Sequence, residues 1–306
     1  MESPSSVEQP KNPEKFDPHS VAVVTATRYP SWYAGEVKGE LTTDKMRGDL
    51  ALQMFGEASS RGYQISIVDS GSSEEFLGEL ERKGVNFQKQ KEKGFQGQGR
   101  REALTEAVSL PGVKVLFTVE PEKISMITDC LPQTVQPILD GEADIVAPKR
   151  IQSSYDSLPP NQAKEEQWSN QLINNMLRKR GILKEEQEDI DFKVGVKAFA
   201  NKPEVVDLFM QRYKFKPADT KLHQLVNLDQ YNNPLFFPVI EALRKGMRVK
   251  SVDVPYVHPR IQTDFEFGRP EFDEKRNWQK RELITGIIHF IRRIENSRKK
   301  RIAKLK

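Results

Sequence analysis

The sequence predicts an α/β protein, with a mostly parallel central sheet covered by helices on both faces and a helical extension at the C-terminus. Three observations carry that expectation. Short apolar, β-branched runs alternate with helix-like stretches over the first 150 residues or so. The first run, residues 21–27, is apolar and β-branched, as a buried strand requires. Beyond Arg150 longer helical stretches take over, and the chain closes on a segment with apolar residues at helical spacing.

Residues 21–27 (VAVVTAT) read as a buried first strand. Residues 44–61 carry Met46, Leu50, Met54 or Phe55, and Ala58 at helical spacing, and Gly62 supplies a stop. Residues 63–69 (YQISIVD) form a second strand, closed by the turn Ser70-Gly71-Ser72. A short helix over 74–83 ends at Gly84 and leads to a short strand, 85–88. Residues 100–109 are helical, 113–119 are a strand, and 124–139 are a helix bent or broken at Pro132. The strand 143–147 (ADIVA) closes this half.

Residues 151–161 read as a Ser/Pro-rich loop. The helix 162–180 then sets Trp168, Leu172 and Met176 on one face before Gly181. Residues 192–200 and 247–255 are expected strands with a helix, 235–245, between them. The last helix, 272–294, aligns Trp278, Ile284, Ile287, Ile288, Ile291 and Ile294 in a stripe that suits core packing. The expected organisation is a disordered tail over 1–18, one α/β domain over 19–270 divided at residue 150, and a C-terminal helix with a basic tail over 271–306.

Composition narrows the function classes. The 306 residues hold 48 Lys/Arg against 44 Asp/Glu, a formal charge of +4. Residues 292–306 alone hold eight Lys/Arg and one Glu, a net of +7, so the rest of the chain nets −3. The protein is slightly acidic with a basic extension, which argues against a nucleic-acid partner and suits peripheral contact with an anionic membrane surface. No apolar run approaches the ~20 residues that span a bilayer, and the N-terminus lacks the apolar core of a signal peptide. The single cysteine, Cys130, excludes an internal disulfide and a cysteine-based zinc site. A reducing, cytoplasmic setting follows.

Three expected strands end in polar residues: Thr25-Ala-Thr-Arg28, Asp69-Ser-Gly71 and Thr118-Val-Glu-Pro-Glu122. In a parallel sheet these tips share one edge, where open α/β sheets bind ligands. Glu120 and Glu122, one residue apart across Pro121, are hard oxygen ligands suited to Mn²⁺ or Mg²⁺ against a phosphate. As carboxylates they also suit the start of a helix. Asp69 can accept from a base or ribose, or simply make a turn before glycine. Gly94-Phe-Gln-Gly97-Gln-Gly99, followed by Arg100-Arg101, is a glycine-rich helix entry at which backbone N–H groups and arginines can meet phosphate. Its spacing matches neither the dinucleotide nor the P-loop fingerprint.

The order of these pieces resembles the nucleotide-sugar half of GT-A glycosyltransferases, particularly the large family-2-like group of nucleotide-diphospho-sugar transferases. VAVVTAT, IVDSGSS, GFQGQGRREAL, VLFTVEPE and ADIVAPKR stand where that group has its first strand, its "hVDDGS" turn, a glycine-rich helix entry, Asp-x-Asp and "ADIVhGxR". Further on, Val194-Gly-Val-Lys-Ala-Phe199 resembles the acceptor-side "G-x-x-A-F" strand, and residues 246–255 resemble "G-h-x-V-x-x-V-P". The resemblance spans roughly residues 20–260, with two departures: Ser70 replaces the second Asp of the turn, and Glu-Pro-Glu replaces Asp-x-Asp.

The resemblance implies a glycosyltransferase moving a sugar from a nucleoside diphosphate sugar to an acceptor that the sequence does not identify. Thr25, Thr27, Arg28, Asp69, Ser70, Gly71, Gly99, Arg100, Arg101 and Arg150 would hold the nucleotide sugar. Glu120 and Glu122 would hold Mn²⁺ or Mg²⁺. In retaining enzymes of this fold, such as the glucosyl- and mannosyl-3-phosphoglycerate synthases, a histidine after the last sheet strand completes the metal site, and His258 stands there. An inverting enzyme needs a general base, for which Asp191 and Asp229 are candidates. The alternatives are a non-catalytic protein of the same fold that binds a nucleotide or partner, and a nucleotidyltransferase. Against the last, the loop after the first strand has no glycine.

Overall fold

Strand β1 (Val21–Thr27) lies inside a seven-stranded sheet in the computed structural model of the chain, which describes residues 16–92, 96–213 and 233–303. The other strands are β2 (Gln64–Asp69), β3 (Gln88–Lys89), β4 (Val115–Thr118), β5 (Ile145–Arg150), β6 (Lys197–Ala200) and β7 (Val249–Val254). Their order is β3-β2-β1-β4-β6-β5-β7. Only β6 runs antiparallel to its neighbours, pairing Phe117 with Ala198 on one side and Ile145 with Phe199 on the other. The sheet is mixed but mostly parallel, as expected.

Strand parity explains the two layers. Val21 and Val23 of β1 join one apolar cluster and Ala22 and Val24 the other, because successive side chains leave a strand on opposite faces. In β4, Val115 and Phe117 face one side and Leu116 the other. Two buried faces need two helical covers, so these strands read as unbroken apolar runs.

Helices α1 (Thr43–Ser60), α2 (Glu74–Arg82), α3 (Gln96–Val108) and α4 (Leu131–Leu139) separate the first strands. Thr42 caps α1 by accepting from the Lys45 amide at 3.2 Å, and Ser73 caps α2 by accepting from Phe76 at 3.2 Å. Pro132 sits in the first turn of α4, where its missing N–H costs nothing. A π-helical turn, Met126–Cys130, precedes it, so the expected helix starts with a wider turn rather than breaking at proline.

The second half contains α5 (Gln152–Asp156), α6 (Pro160–Lys179), α7 (Pro203–Met210), α8 (Asn233–Arg244), α9 (Arg260–Glu266) and α10 (Pro270–Ala303). The expected loop 151–161 thus contains a short helix, and α7 and α9 come without a sequence expectation. The expected strand 192–200 shortens to Lys197–Ala200, because Asp191 gathers the amides of Lys193 and Val194 instead of leaving them to a ladder. Leu283, Ile287 and Ile291 of α10 are buried in the apolar cluster that also holds α8. The expected tail lies almost wholly outside the described residues.

Candidate functional site

The C-terminal tips of β1, β2 and β4 open together into a cavity of about 960 Å³. Ala26–Tyr29, Asp69–Ser72 and Glu120–Lys123 line its sheet edge. The opposite wall comes from α6, the segment after β7, α9 and the start of α10. A cleft at strand tips is where this topology gathers unpaired backbone and polar side chains from several elements.

The β2 tip is a closed turn. Asp69 Oδ1 accepts from the amides of Gly71 and Ser72, both at 2.9 Å. Its Oδ2 accepts from Thr27 Oγ1 at 2.8 Å and from Ser72 Oγ at 2.5 Å. Gly71 takes φ 112°, which a side chain would strain. With four internal donors, the Asp69 carboxylate has used its accepting capacity. Asp69 thus builds the turn that presents Ser70, Gly71 and Ser72 to the cavity, and it lines the cavity itself. The Ser70 hydroxyl donates to Gln90 Oε1 at 2.5 Å. Gly99 permits that packing, since a Cβ there would lie 3.1 Å from Ser70 Oγ.

At the β4 tip, Lys123 Nζ lies 2.8 Å from Glu120 Oε2. Burial pushes the Glu120 carboxyl up, but Lys123 and then Arg100 outweigh it and hold its pKa at about 2. Glu122 accepts from the Tyr29 hydroxyl at 3.2 Å and has Arg47 Nη1 at 4.0 Å. Arg47 also bonds Glu266 at 2.9 Å, tying α1 to α9 across the cavity. Glu120 packs so closely on Gly195 that a Cβ there would sit 2.8 Å from Oε1.

His258 lies on the same cavity but is 7% exposed, and its Nδ1 is 2.9 Å from Thr263 Oγ1. Burial, aided by Lys123, pulls its pKa down to about 4, so the ring is neutral at ordinary pH. Among the described residues no group of three or more His, Cys, Asp or Glu side chains converges as a metal cage. Glu120, Glu122 and His258 all line the cavity, and the Nδ1 of His258 is engaged within its own loop.

No family model and no curated protein matches this sequence. Solved structures do match. The glucosyl-3-phosphoglycerate synthase of Mycobacterium tuberculosis in complex with Mn²⁺ and UDP-glucose superposes with a TM-score of 0.54 at 12% identity, over 89% of this chain and 79% of that one. The same enzyme with UDP gives 0.52 at 12% identity, over 89% and 80%. The fold is GT-A-like.

Within the GT-A-like sheet the remaining expected residues fall into two groups. Thr27, Arg28, Ser70, Gly71 and Arg150 line the cavity. Thr25 instead donates to the Val119 carbonyl at 2.8 Å, holding β1 to the end of β4, and Arg101 donates to Gln98 at 3.0 Å. Arg100 interacts electrostatically with both Glu120 and Glu122.

The expected base Asp191 is corrected. It is 2% exposed and bonds Arg150 Nε at 2.6 Å and Nη2 at 3.0 Å, with Asn170, Tyr155 and the backbone amides of Arg150, Lys193 and Val194 completing its shell. Burial alone would raise its pKa, yet Arg150 drives it far below the carboxylate range, leaving no useful basicity. Arg150 is closed on its other side by Glu166 at 2.6 Å. Asp229, the other expected base, lies outside the described residues.

Several lining residues had no sequence expectation: Tyr29, Arg47, Lys123, Glu165, Lys193 and Tyr256. Lys123 was signalled by standing next to Glu-Pro-Glu. The others sit on helices and loops with no local motif, and only tertiary packing gathers them.

Proposed function

We propose that this chain transfers a glycosyl group from a nucleoside diphosphate sugar to an acceptor. The observation that carries it is the clustering of Glu120, Glu122 and Lys123 with Arg47 at the strand-tip edge of a cavity of about 960 Å³, large enough for such a ligand. The likeness to glycosyltransferase structures that hold UDP or UDP-glucose supports it.

In this reading Ser70, Gly71 and Ser72 border the nucleoside, and Arg28 at the rim meets the diphosphate. As the bond from the sugar's anomeric carbon to the diphosphate oxygen breaks, its electron pair stays on the diphosphate, while the acceptor oxygen bonds to that carbon and gives its proton to the departing diphosphate. Lys123 and Arg47 flank the place where negative charge then grows. The pair Glu120 and Glu122 fits Mn²⁺ or Mg²⁺ in the manner of sites that use one or two carboxylates and let phosphate oxygens complete the shell. Bound there, the cation would neutralise the departing diphosphate.

Calorimetric titration with UDP and GDP, with and without Mn²⁺, tests this. Metal-enhanced binding of one of them is expected. Failure of both to bind removes the proposal, and binding without any transfer or hydrolysis of the corresponding nucleotide sugars leaves a non-catalytic binder.

The basic stretch 292–306 supports a setting on the cytoplasmic side of an anionic membrane surface. Among the described residues no helix is long and apolar enough to cross a membrane. Co-flotation with anionic vesicles, lost at high salt, is the expected result.

A further inference from the structure

We infer that the outer face of α6, together with the side of α10 that carries Lys280, docks on an anionic bilayer with Trp168 seated at the level of the lipid headgroups. This rests on the membrane setting proposed above and names the face that meets the lipid.

Helix α6 is two-sided. Its two carboxylates, Glu165 and Glu166, line the cavity, where they pair with Lys193 at 3.4 Å and Arg150 at 2.6 Å. Lys164, Trp168, Leu172, Asn175 and Lys179 recur at helical spacing on the outer side, with no carboxylate among them. Trp168 is 49% exposed and Leu172 half-buried.

A lone exposed ring would need no explanation, but this one borders a wider strip. Lys280 of α10 holds its Nζ 4.4 Å from the centroid of the Trp168 ring, which sets the two helices side by side there. One and two turns further along α10, on the side that Lys280 marks, Ile284 and Ile288 are only half-buried, whereas Leu283, Ile287 and Ile291 are packed in the core. Among the described residues Lys164, Lys179 and Lys280 have no carboxylate partner.

This chemistry picks the partner. An indole with an apolar body, flanked by lysines, suits the boundary between acyl chains and anionic headgroups. The Lys280 stem can lie along the ring while its ammonium reaches a lipid phosphate. The basic stretch 292–306, with its net charge of +7, continues the same helix and carries the same sign of charge onward. A second copy of this chain is a poorer occupant, because two such faces meeting symmetrically would set lysine against lysine. Since α6 and α10 also wall the cavity through Gln162, Glu165 and Gln279, a bilayer on their outer side lies one helix thickness, about 10 Å, from it.

The test uses the full chain and vesicles of phosphatidylcholine with and without phosphatidylserine. Wild type should bind the mixed vesicles, and Trp168→Ala should bind them roughly tenfold more weakly. Lys164→Glu combined with Lys280→Glu should weaken binding at least as much. Trp278 supplies a control: it is 41% exposed but leaves α10 about 200° round the helix from Lys280, so Trp278→Ala should bind as wild type does. Brominated lipid should quench part of the wild-type tryptophan fluorescence, and Trp168→Phe should lose that part, a readout that does not depend on affinity. If Trp168→Ala binds like wild type and Trp168→Phe is quenched as strongly, the face is overturned while the membrane setting stands on the basic stretch alone. If wild type binds no vesicle, both fall. Sedimentation without lipid completes the test: self-association that Trp168→Ala abolishes would make this face a contact between copies and overturn the inference.

Discussion

Lys123 Nζ stands 2.8 Å from Glu120 Oε2, a close ion pair inside the tip of the strand that the sequence marks most strongly. Its effect on acid stability has a definite sign. The Glu120 pKa falls from an ordinary value of 4.5 to about 2 in the folded chain. A depressed carboxylate stabilises the fold above its unfolded pKa, and that contribution disappears as pH drops from about 4.5 towards 2. Glu120→Gln should remove on the order of 1–3 kcal/mol of stability at pH 7 and flatten this part of the profile. Urea denaturation between pH 2 and 7 measures it, and parallel profiles for wild type and variant would contradict it.

Gly195 controls where that carboxylate sits. A Cβ at 195 would lie 2.8 Å from Glu120 Oε1, at the far end of a flexible side chain, and the backbone there has no positive φ. Gly195→Ala should therefore fold with a melting temperature within a few degrees of wild type. The displaced Glu120 should weaken diphosphate binding in the presence of Mn²⁺ by about tenfold. Calorimetry on the two proteins tests this, and unchanged metal-dependent binding would remove Glu120 from the site.

Much of this architecture was legible because it is local. Continuous apolar runs and their polar endings at Arg28, Asp69 and Glu122 require only chain order and the two-face burial of parallel strands. The roles at those endings were less legible. Asp69 looks the same in sequence whether its oxygens face a nucleoside or the amides of its own turn, and here the turn supplies three donors and Thr27 of the first strand a fourth. Asp191 likewise depends on Arg150, Asn170 and Tyr155, which are 21 to 41 positions away, and no periodicity reports such a meeting. Tyr256 was hidden for the same reason.

The Asp191 network yields a prediction that separates structure from catalysis. Asp191→Ala leaves the Arg150 guanidinium buried with Glu166 as its remaining carboxylate, and takes the acceptor from the Val194 amide, while the Lys193 amide keeps Asn170. Breaking a buried pair from one side costs about 3–5 kcal/mol. The variant should unfold at markedly lower urea. A stable, inactive variant would instead make Asp191 a direct participant in the reaction.

Lys197 gives the opposite pH signature to Glu120. Its side chain is fully buried, and Nζ donates to the carbonyls of Val194 and Val196, each at 2.8 Å. Burial outweighs the nearby Asp191 and lowers its pKa from 10.5 to about 7. Between those two values the unfolded chain holds the proton more tightly than the folded one. Stability from this group therefore rises as pH goes from about 7 to 10.5, and below pH 7 the folded state carries the full cost of the buried charge. Lys197→Met cannot titrate, so its stability relative to wild type should be highest below pH 7 and decline steadily above it. Chemical denaturation at pH 6, 8 and 10 measures the trend. A stability difference independent of pH would mean that Lys197 keeps its charge throughout, held by Asp191 across the sheet.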